Sequence, residues 1–395
     1  MKTVGIICEY NPFHRGHALH LLRARALSGA DYVVCAMSGA VTQRGAFARH
    51  DKWTRARMAL AGGADLVLEL PARFACAGAP DFAGGGVGLL AALGVVTHLA
   101  FGCEAEALPQ LEAAAQALRD ESPAMRAALR EGLSRGLSFP QARAQAVLQA
   151  GPPGLGAALS LPNAALALEY LRALPEGITP VPIAREGAGY HDGALAPLAS
   201  ATAVRRALAG GDLCGALDAV PCPELLRQAE ESGAVHGEDA LTQALLYRLR
   251  TSDAAALADV PGMDEGLEHR FLAAAQTCAT RDALILAVKS RRYTYARLSR
   301  LCTLALLGAT RGLWQAYPAP AYARILGFRR SAAPLLHAVR RRACVPLIAK
   351  AADADRDDPR FALDLRAQDL WSLGCAAPAL RAAGRDFTTS PVIVP

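Results

Sequence analysis

A chain of 395 residues that is 52% hydrophobic has room for two domains and can bury a large core, which excludes a disordered protein. Its ten cysteines form no C-x-x-C pair, and Cys8, Cys35 and Cys103 lie in or beside apolar strand-like runs. This excludes a cysteine-built zinc site and predicts buried free thiols in a reducing compartment. The net charge of +6 is uneven: residues 289–350 hold 13 basic residues and no Asp or Glu, while the rest of the chain holds 29 basic and 36 acidic ones.

The first half alternates strand-like and helix-like segments. Val4–Cys8 is a short apolar strand. The segment before Glu9 has one lysine and too short an apolar run for a signal peptide, which predicts a cytoplasmic protein. His17–Leu27 has a helical period, Tyr32–Met37 is apolar and β-branched, Trp53–Ala61 reads helical, and Asp65–Leu70 (DLVLEL) reads as a strand. Phe82–Cys103 lacks carboxylates, Lys and Arg. Its glycine cluster, Gly94, Thr97 and His98 predict a small-residue helix (Ala83–Leu93) and a buried strand (His98–Gly102) in place of a membrane span. Helices over Gln110–Leu148, broken at Pro123 and Pro140, precede a helix over Asn163–Leu174, a strand over Thr179–Ala184 and a helix over Ala201–Leu208. This alternation predicts an α/β fold, a parallel sheet with helices on both faces and ligands at the carboxyl ends of its strands. After about residue 210 the strand signals stop, and the remainder reads as helices punctuated by Pro221, Pro223, Pro261, Pro318 and Pro320. The expected organisation is therefore an α/β domain over 1–210 and a mainly α-helical domain over 211–395.

Residues 8–21, CEYNPFHRGHALHL, join the first strand to the first helix. Pro12 stiffens the loop and keeps the helix from starting earlier, and Gly16 leaves room for an approach to the backbone. His14 and His17 fall in the first helical turn, where open N–H groups and the helix dipole favour an anion. Two imidazoles there can donate to phosphate oxygens, more strongly as charge builds up in a phosphorane. Geometry argues against a metal on His14, His17 and His20. Each step of three residues drifts about 60° round a helix, and no Asp or Cys stands beside them. The run Gly84–Gly88 follows no strand and precedes no G-K-[ST], so it predicts close helix packing and not a phosphate loop.

H-x-G-H after a first strand resembles the HIGH signature of the class I nucleotidyl-transfer superfamily. Longer stretches resemble the bacterial tRNA(Met) cytidine acetate ligase family: GIICEYNPFHRGH at 5–17, SGAVTQRGAFARHDKW at 38–53 and GADLVLELP at 63–71. FGCE at 101–104, LPNAALALEYL at 161–171, REGAGYHD at 185–192, SATAVR at 200–205, SRRYTYARLSR at 290–300 and YARILGF at 322–328 carry the resemblance along nearly the whole chain. It implies a Rossmann-like nucleotide-binding domain of the HIGH superfamily followed by a helical domain. The implied activity is activation of acetate by ATP to acetyl-adenylate, then acetylation of the wobble cytidine N4 of elongator tRNA(Met). It also implies that ATP is held by Ile7, Cys8, Glu9, Tyr10, Asn11, Pro12, Phe13, His14, Arg15, Gly16, His17, Ala18, Leu19 and His20, with His14 and His17 catalytic. Gly102, Asn163 and Arg185 match further nucleotide contacts. On their own residues these three also fit a strand-end turn, a helix N-cap and a solvated side chain. Ser200, Thr202 and Arg205 either close on the triphosphate or form an ordinary N-capped helix. Ser38, Gly39, Gln43 and Arg44 match the acyl pocket. The family usually has Asn at the position of Arg15, and SGNFVQRGEPA in place of SGAVTQRGAFA, which differs at Ala40, Val41, Thr42, Ala46 and Phe47.

Lys289, Arg291, Arg292, Arg297 and Arg300 interleave with Tyr293 and Tyr295. Arginines pair with phosphates and tyrosines stack on unpaired bases, so this acid-free stretch predicts a tRNA-binding face, with Arg340, Arg341 and Arg342 extending it. The expected partners are tRNA, acetate and ATP, with Mg²⁺ accompanying ATP and no dedicated metal ligands. No protein partner and no membrane are expected. Two other functions fit parts of the sequence. A nucleotidyltransferase acting on a small phosphorylated molecule explains the HIGH loop, and a non-catalytic RNA-binding protein explains the basic half.

Overall fold

Alternate residues of an extended run face opposite sides of a sheet. Val33, Cys35, Met37 and Val67 join one buried cluster, while Val34, Ala36, Leu66, Leu68 and Leu70 join another. Strands covered on both faces read as continuous apolar runs, and that is why these segments stand out in the sequence. In the computed structural model, which describes residues 1–103, 107–150, 164–184 and 198–395, they form β1 (Thr3–Cys8), β2 (Tyr32–Ser38), β3 (Leu66–Leu70), β4 (His98–Gly102) and β5 (Thr179–Ile183). These five are parallel and lie in the order β5-β4-β1-β2-β3. The order reverses between β1 and β4, and a ligand crevice opens beyond the carboxyl ends at such a switch point.

The helices between them follow local signals. α1 (Arg15–Ser28) stops at Gly29, which takes the left-handed conformation at φ 60°. α2 (Lys52–Ala61) is capped by the Asp51 carboxylate, which accepts from the Thr54 amide at 2.7 Å. α3 (Ala72–Ala75) and α4 (Ala79–Ala92) follow β3. The glycine run lies within α4, where a Cβ on Gly86 would sit 2.6 Å from Ile7 of β1, so close helix-to-sheet packing is its role. Phe82–Cys103 is thus helix and strand, and among the described residues no helix is long and apolar enough to cross a membrane.

The strand signals do not stop at residue 210. β6 (Ala323–Arg329) pairs antiparallel with β3, and β7 (Leu347–Ile348) and β8 (Val392–Val394) each pair parallel with β6. β6 (ARILGFR) does not read as a strand in the sequence because its arginines belong, by sequence, to the basic stretch. In the structure Arg324 is buried in a charge cluster. Its guanidinium bonds Asp386 at 2.7 Å and lies 3.2 Å from Glu69, while Lys52 Nζ lies 2.8 Å from each of the same two carboxylates. Four charges from α2, β3, β6 and the C-terminal segment neutralise one another, which offsets the cost of taking each from water. The C-terminal residues are thereby fastened to the parallel sheet.

Candidate active site

The loop after β1 crosses the switch point and turns into α1. Tyr10 takes a left-handed conformation (φ 49°) and is buried, 4.9 Å from the Phe13 ring and 4.8 Å from His17. Burial pushes the Cys8 thiol well above its ordinary range, reinforced by Cys35, and the Tyr10 hydroxyl lies 3.6 Å from Cys35 Sγ. Cys8, Tyr10, Pro12 and Phe13 therefore build the loop from within. Asn11 does so through its side chain, whose Oδ1 accepts from the Arg49 amide at 2.9 Å.

His14 is the N-cap of α1. Its Nδ1 accepts from the Gly16 amide at 3.1 Å, and His17 Nδ1 accepts from the His14 amide at 3.3 Å. This is a capping box built from two imidazoles, where Ser or Thr and Glu are the usual pair. The two rings stack with centroids 3.7 Å apart. An Nδ1 that accepts carries no hydrogen, so both rings are assigned as the Nε2–H tautomer, which makes Nε2 a donor. The glycine between them is needed by the cap itself. A Cβ on Gly16 would stand 2.9 Å from His14 Cε1, so His14 occupies the room that the sequence reserved for a ligand. Ala18 and Leu19 are half-buried on α1, and Arg15 is exposed. His20 is one turn beyond His17, and burial pulls its imidazole down to about 4. Among the described residues no group of three His, Cys, Asp or Glu side chains has the geometry to hold a metal ion.

Several elements converge on this loop. Arg205 Nη1 donates to the Asn11 carbonyl at 2.5 Å and Nη2 to Thr202 Oγ1 at 3.2 Å. Ser200 Oγ accepts from the Ala203 amide at 3.2 Å, so it caps the helix Ala201–Ala209. Gly102 ends β4, on the other side of the switch point from Cys8. Asn163 and Arg185 lie outside the described residues. Ser38, which is buried, ends β2, and Gly39 packs on the Glu69 carboxylate. The Gln43 amide donates to Glu9 Oε1 at 2.7 Å, and Arg44 is exposed beside it.

Sequence reasoning overlooked Arg55. Its guanidinium is fully buried and donates to the carbonyls of Glu9 (2.7 Å), Ser38 (2.9 Å) and Gly39, with Nε on His50 O at 3.0 Å. It clasps the carboxyl ends of β1 and β2 together. Burial lowers its pKa to about 10, against nearby carboxylates led by Asp51, so it stays charged at neutral pH. The available signal was a pair of cations, Lys52 and Arg55, on the face of α2 that also buries Trp53, Ala56 and Met58.

The basic stretch divides in space. Lys289, Arg291, Arg292 and Tyr295 are exposed, with Tyr295 donating to Asp282 at 2.9 Å. Arg292 is paired with Glu265. Tyr293, expected to stack on a base, is instead buried. It donates to Glu265 at 2.7 Å, and its ring lies 5.0 Å from the Arg297 guanidinium. Arg297 donates to the Gly262 carbonyl at 3.3 Å, and Arg300 to the Gln43 carbonyl at 3.1 Å. Arg340, Arg341 and Arg342 are exposed, but they end a helix whose Arg342 carbonyl packs against Gly94, ahead of β4. That is the amino-end side of the sheet, opposite the carboxyl ends where the crevice opens.

Against known proteins, the HIGH Nucleotidyl Transferase family model matches residues 1–386. The tRNA(Met) cytidine acetate ligase of Syntrophomonas wolfei is 37% identical over 413 residues, covering 99% of each chain. That of Acetivibrio thermocellus is 34% identical, covering 100% of each. The crystal structure of Thermotoga maritima TmcAL bound with alpha-thio ATP is similar at a TM-score of 0.92 and 30% identity, covering 100% of both chains.

Proposed function

From the premise that the chain belongs to the tRNA(Met) cytidine acetate ligase family, within the HIGH nucleotidyltransferases, we propose that it is itself an ATP-dependent tRNA(Met) cytidine acetate ligase. The observation that carries the reading is the stacked His14–His17 pair at the start of α1, beside the switch point. A helix start with two Nε2–H donors suits the charge that develops on a phosphate under attack. An acetate oxygen attacks the α-phosphorus of ATP, and the bond to the β-phosphate breaks as pyrophosphate leaves. The cytidine N4 then attacks the acetyl carbonyl and AMP departs. His14 and His17 stabilise the first step, aided by the dipole of α1. The first-turn amides, expected to be open, are already engaged, Arg15 N–H by the Ala219 carbonyl, Gly16 N–H by His14 Nδ1 and His17 N–H by the His14 carbonyl. Arg205 and Arg55 hold the loop that carries them. Ser38, Gly39, Gln43 and Arg44, at the end of β2 or in the loop after it, supply the acetate pocket in this reading. Mg²⁺ accompanying ATP would be held chiefly by the phosphates, which it binds through oxygen.

The exposed Lys289, Arg291, Arg292 and Tyr295 form the tRNA face. Tyr295 begins the helix Tyr295–Leu307, one turn before Ser299, and Ser299 touches the Gly45 carbonyl in the loop after β2. The face therefore flanks the crevice. The units 1–210 and 211–395 divide ATP binding from tRNA binding, although β6, β7 and β8 of the second complete the sheet of the first. A cytoplasmic location follows from the substrates.

The test is the purified protein with ATP, labelled acetate and tRNA. Label appearing as N4-acetylcytidine in elongator tRNA(Met) is the expected result. AMP transferred to a small phosphate ester with no tRNA product would replace this reading with a small-molecule nucleotidyltransferase. RNA binding without ATP turnover would leave a non-catalytic binding protein.

A further inference from the structure

Gly45 is where the helical half grips the nucleotide half. Its φ is +77°, and it lies directly on the backbone of Ser299 and Arg300, where no side chain fits. Its carbonyl accepts from Arg281 Nη2 at 2.6 Å, Thr303 Oγ1 at 2.6 Å and Ser299 Oγ at 3.3 Å. The same Arg281 nitrogen reaches Ser299 O at 3.0 Å, Ser299 Oγ at 2.8 Å and Thr303 Oγ1 at 3.3 Å, so the three donors are fixed to one another. Ser299 and Thr303 are buried. Two residues back, the Gln43 carbonyl is held by Arg300 and the Gln43 amide by Glu9. Arg281 comes from a different helix, Arg281–Val288, and from the far side of the chain in sequence.

We propose that Arg281, with Thr303 and Ser299, is a positioning residue that sets the Gln43–Gly45 loop against the switch-point crevice through the Gly45 carbonyl. None of the three touches the reacting atoms. They fix the loop that carries Gln43 and Arg44, and two of them, Ser299 and Thr303, do so from the helix that begins at Tyr295. The inference rests on the acetate-ligase reading for its substrate. Its physical content, that this cradle orders the loop, does not.

Three measurements on the full-length protein test it. Acetate-dependent exchange of pyrophosphate into ATP should fall about tenfold or more in kcat/KM for acetate in Arg281→Ala, the scale expected when a charged donor is removed from a buried carbonyl. ATP and tRNA affinities should stay within about threefold, and Arg281→Lys should recover part of the loss. Thr303→Val, which removes one donor and leaves the charge, should show the same acetate-specific effect at smaller size; it decides the matter if Arg281→Ala does not fold. Backbone amide exchange at residues 42–46 should rise in both variants whatever the activity. Unchanged acetate kinetics with unchanged amide exchange would overturn the positioning role. Equal losses of acetate, ATP and tRNA affinity would also overturn it and make the cradle general scaffolding. Wild-type protein that shows no acetate-dependent exchange, while the variants still loosen 42–46, would overturn the function reading and leave the positioning role standing.

Discussion

His17 has two duties: its Nδ1 closes the capping box, and in the tautomer this assigns its Nε2 carries the proton that the proposed chemistry uses. Replacing it with Ala removes both. Loss of one preorganised donor should lower the rate of adenylate formation by about 10²–10³-fold, and loss of the cap should cost about 1 kcal/mol of stability. Acetate-dependent pyrophosphate exchange reads the first and urea unfolding the second. tRNA affinity should be nearly unchanged, and a variant that loses tRNA binding instead would contradict the assignment. The place of this histidine was legible in the sequence, because a strand, a Pro loop and H-x-G-H make a helix start. Its bonding was not. A histidine that caps a helix is rarer than Ser or Asp in that role, and only coordinates reveal that the Gly16 hydrogen leaves space for the His14 ring.

At the scale of elements, a helix can serve two masters. Tyr295–Leu307 presents Tyr295 at its start and buries Ser299 and Thr303 against the loop after β2. Reversing Arg291 and Arg292 to Glu should weaken tRNA binding steeply at low salt. The slope of log affinity against log salt should shrink by roughly two charges, with pyrophosphate exchange little changed. Equal affinity at every salt concentration would remove this segment from the tRNA face. The sequence displayed the charge of the stretch but not its partners. Arg300 faces the Gln43 carbonyl, Tyr293 faces Glu265, and Arg324 faces Glu69 and Asp386. Each partner lies far away along the chain, so a run that is acid-free in sequence is partly neutralised in space. β6 was hidden for the same reason, since an arginine inside a strand reads as solvent-facing until its buried carboxylates are seen.

The whole molecule should respond to acid through groups scattered along the chain. Burial pulls His20 and His236 down to about 4 from an ordinary 6.5. The unfolded chain accepts protons that the folded chain refuses, so this contribution is complete above about pH 6.5 and is lost as pH falls toward 4. Glu230 follows at lower pH. Burial alone would raise it, but hydrogen bonds from Arg49 and His50 hold it at about 2, so its contribution is present above about pH 4.5 and is lost toward pH 2. Urea unfolding at stepped pH should show the first limb beginning near neutrality, and His236→Gln should flatten roughly half of it, the share of one histidine in two. An unaltered limb would show that His236 takes up its proton in the folded state as well. The buried cluster of Lys52, Glu69, Arg324 and Asp386 makes a complementary case. Lys52→Met leaves two carboxylates facing one cation and should cost about 3–5 kcal/mol, measured as a drop in urea midpoint at constant slope.

The antiparallel pairing of β6 with β3 also bears on how the chain is made. β3 leaves the ribosome complete at Leu70, and its outer edge is covered only when Ala323–Arg329 has been synthesised, about 250 residues later. At roughly 5–20 residues per second the delay is on the order of 10–50 s. For that time a strand apolar at every position but Glu69 exposes an unpaired row of backbone groups. A nascent chain stalled before Ala323 keeps that edge open and is the species that a chaperone should hold or that should aggregate.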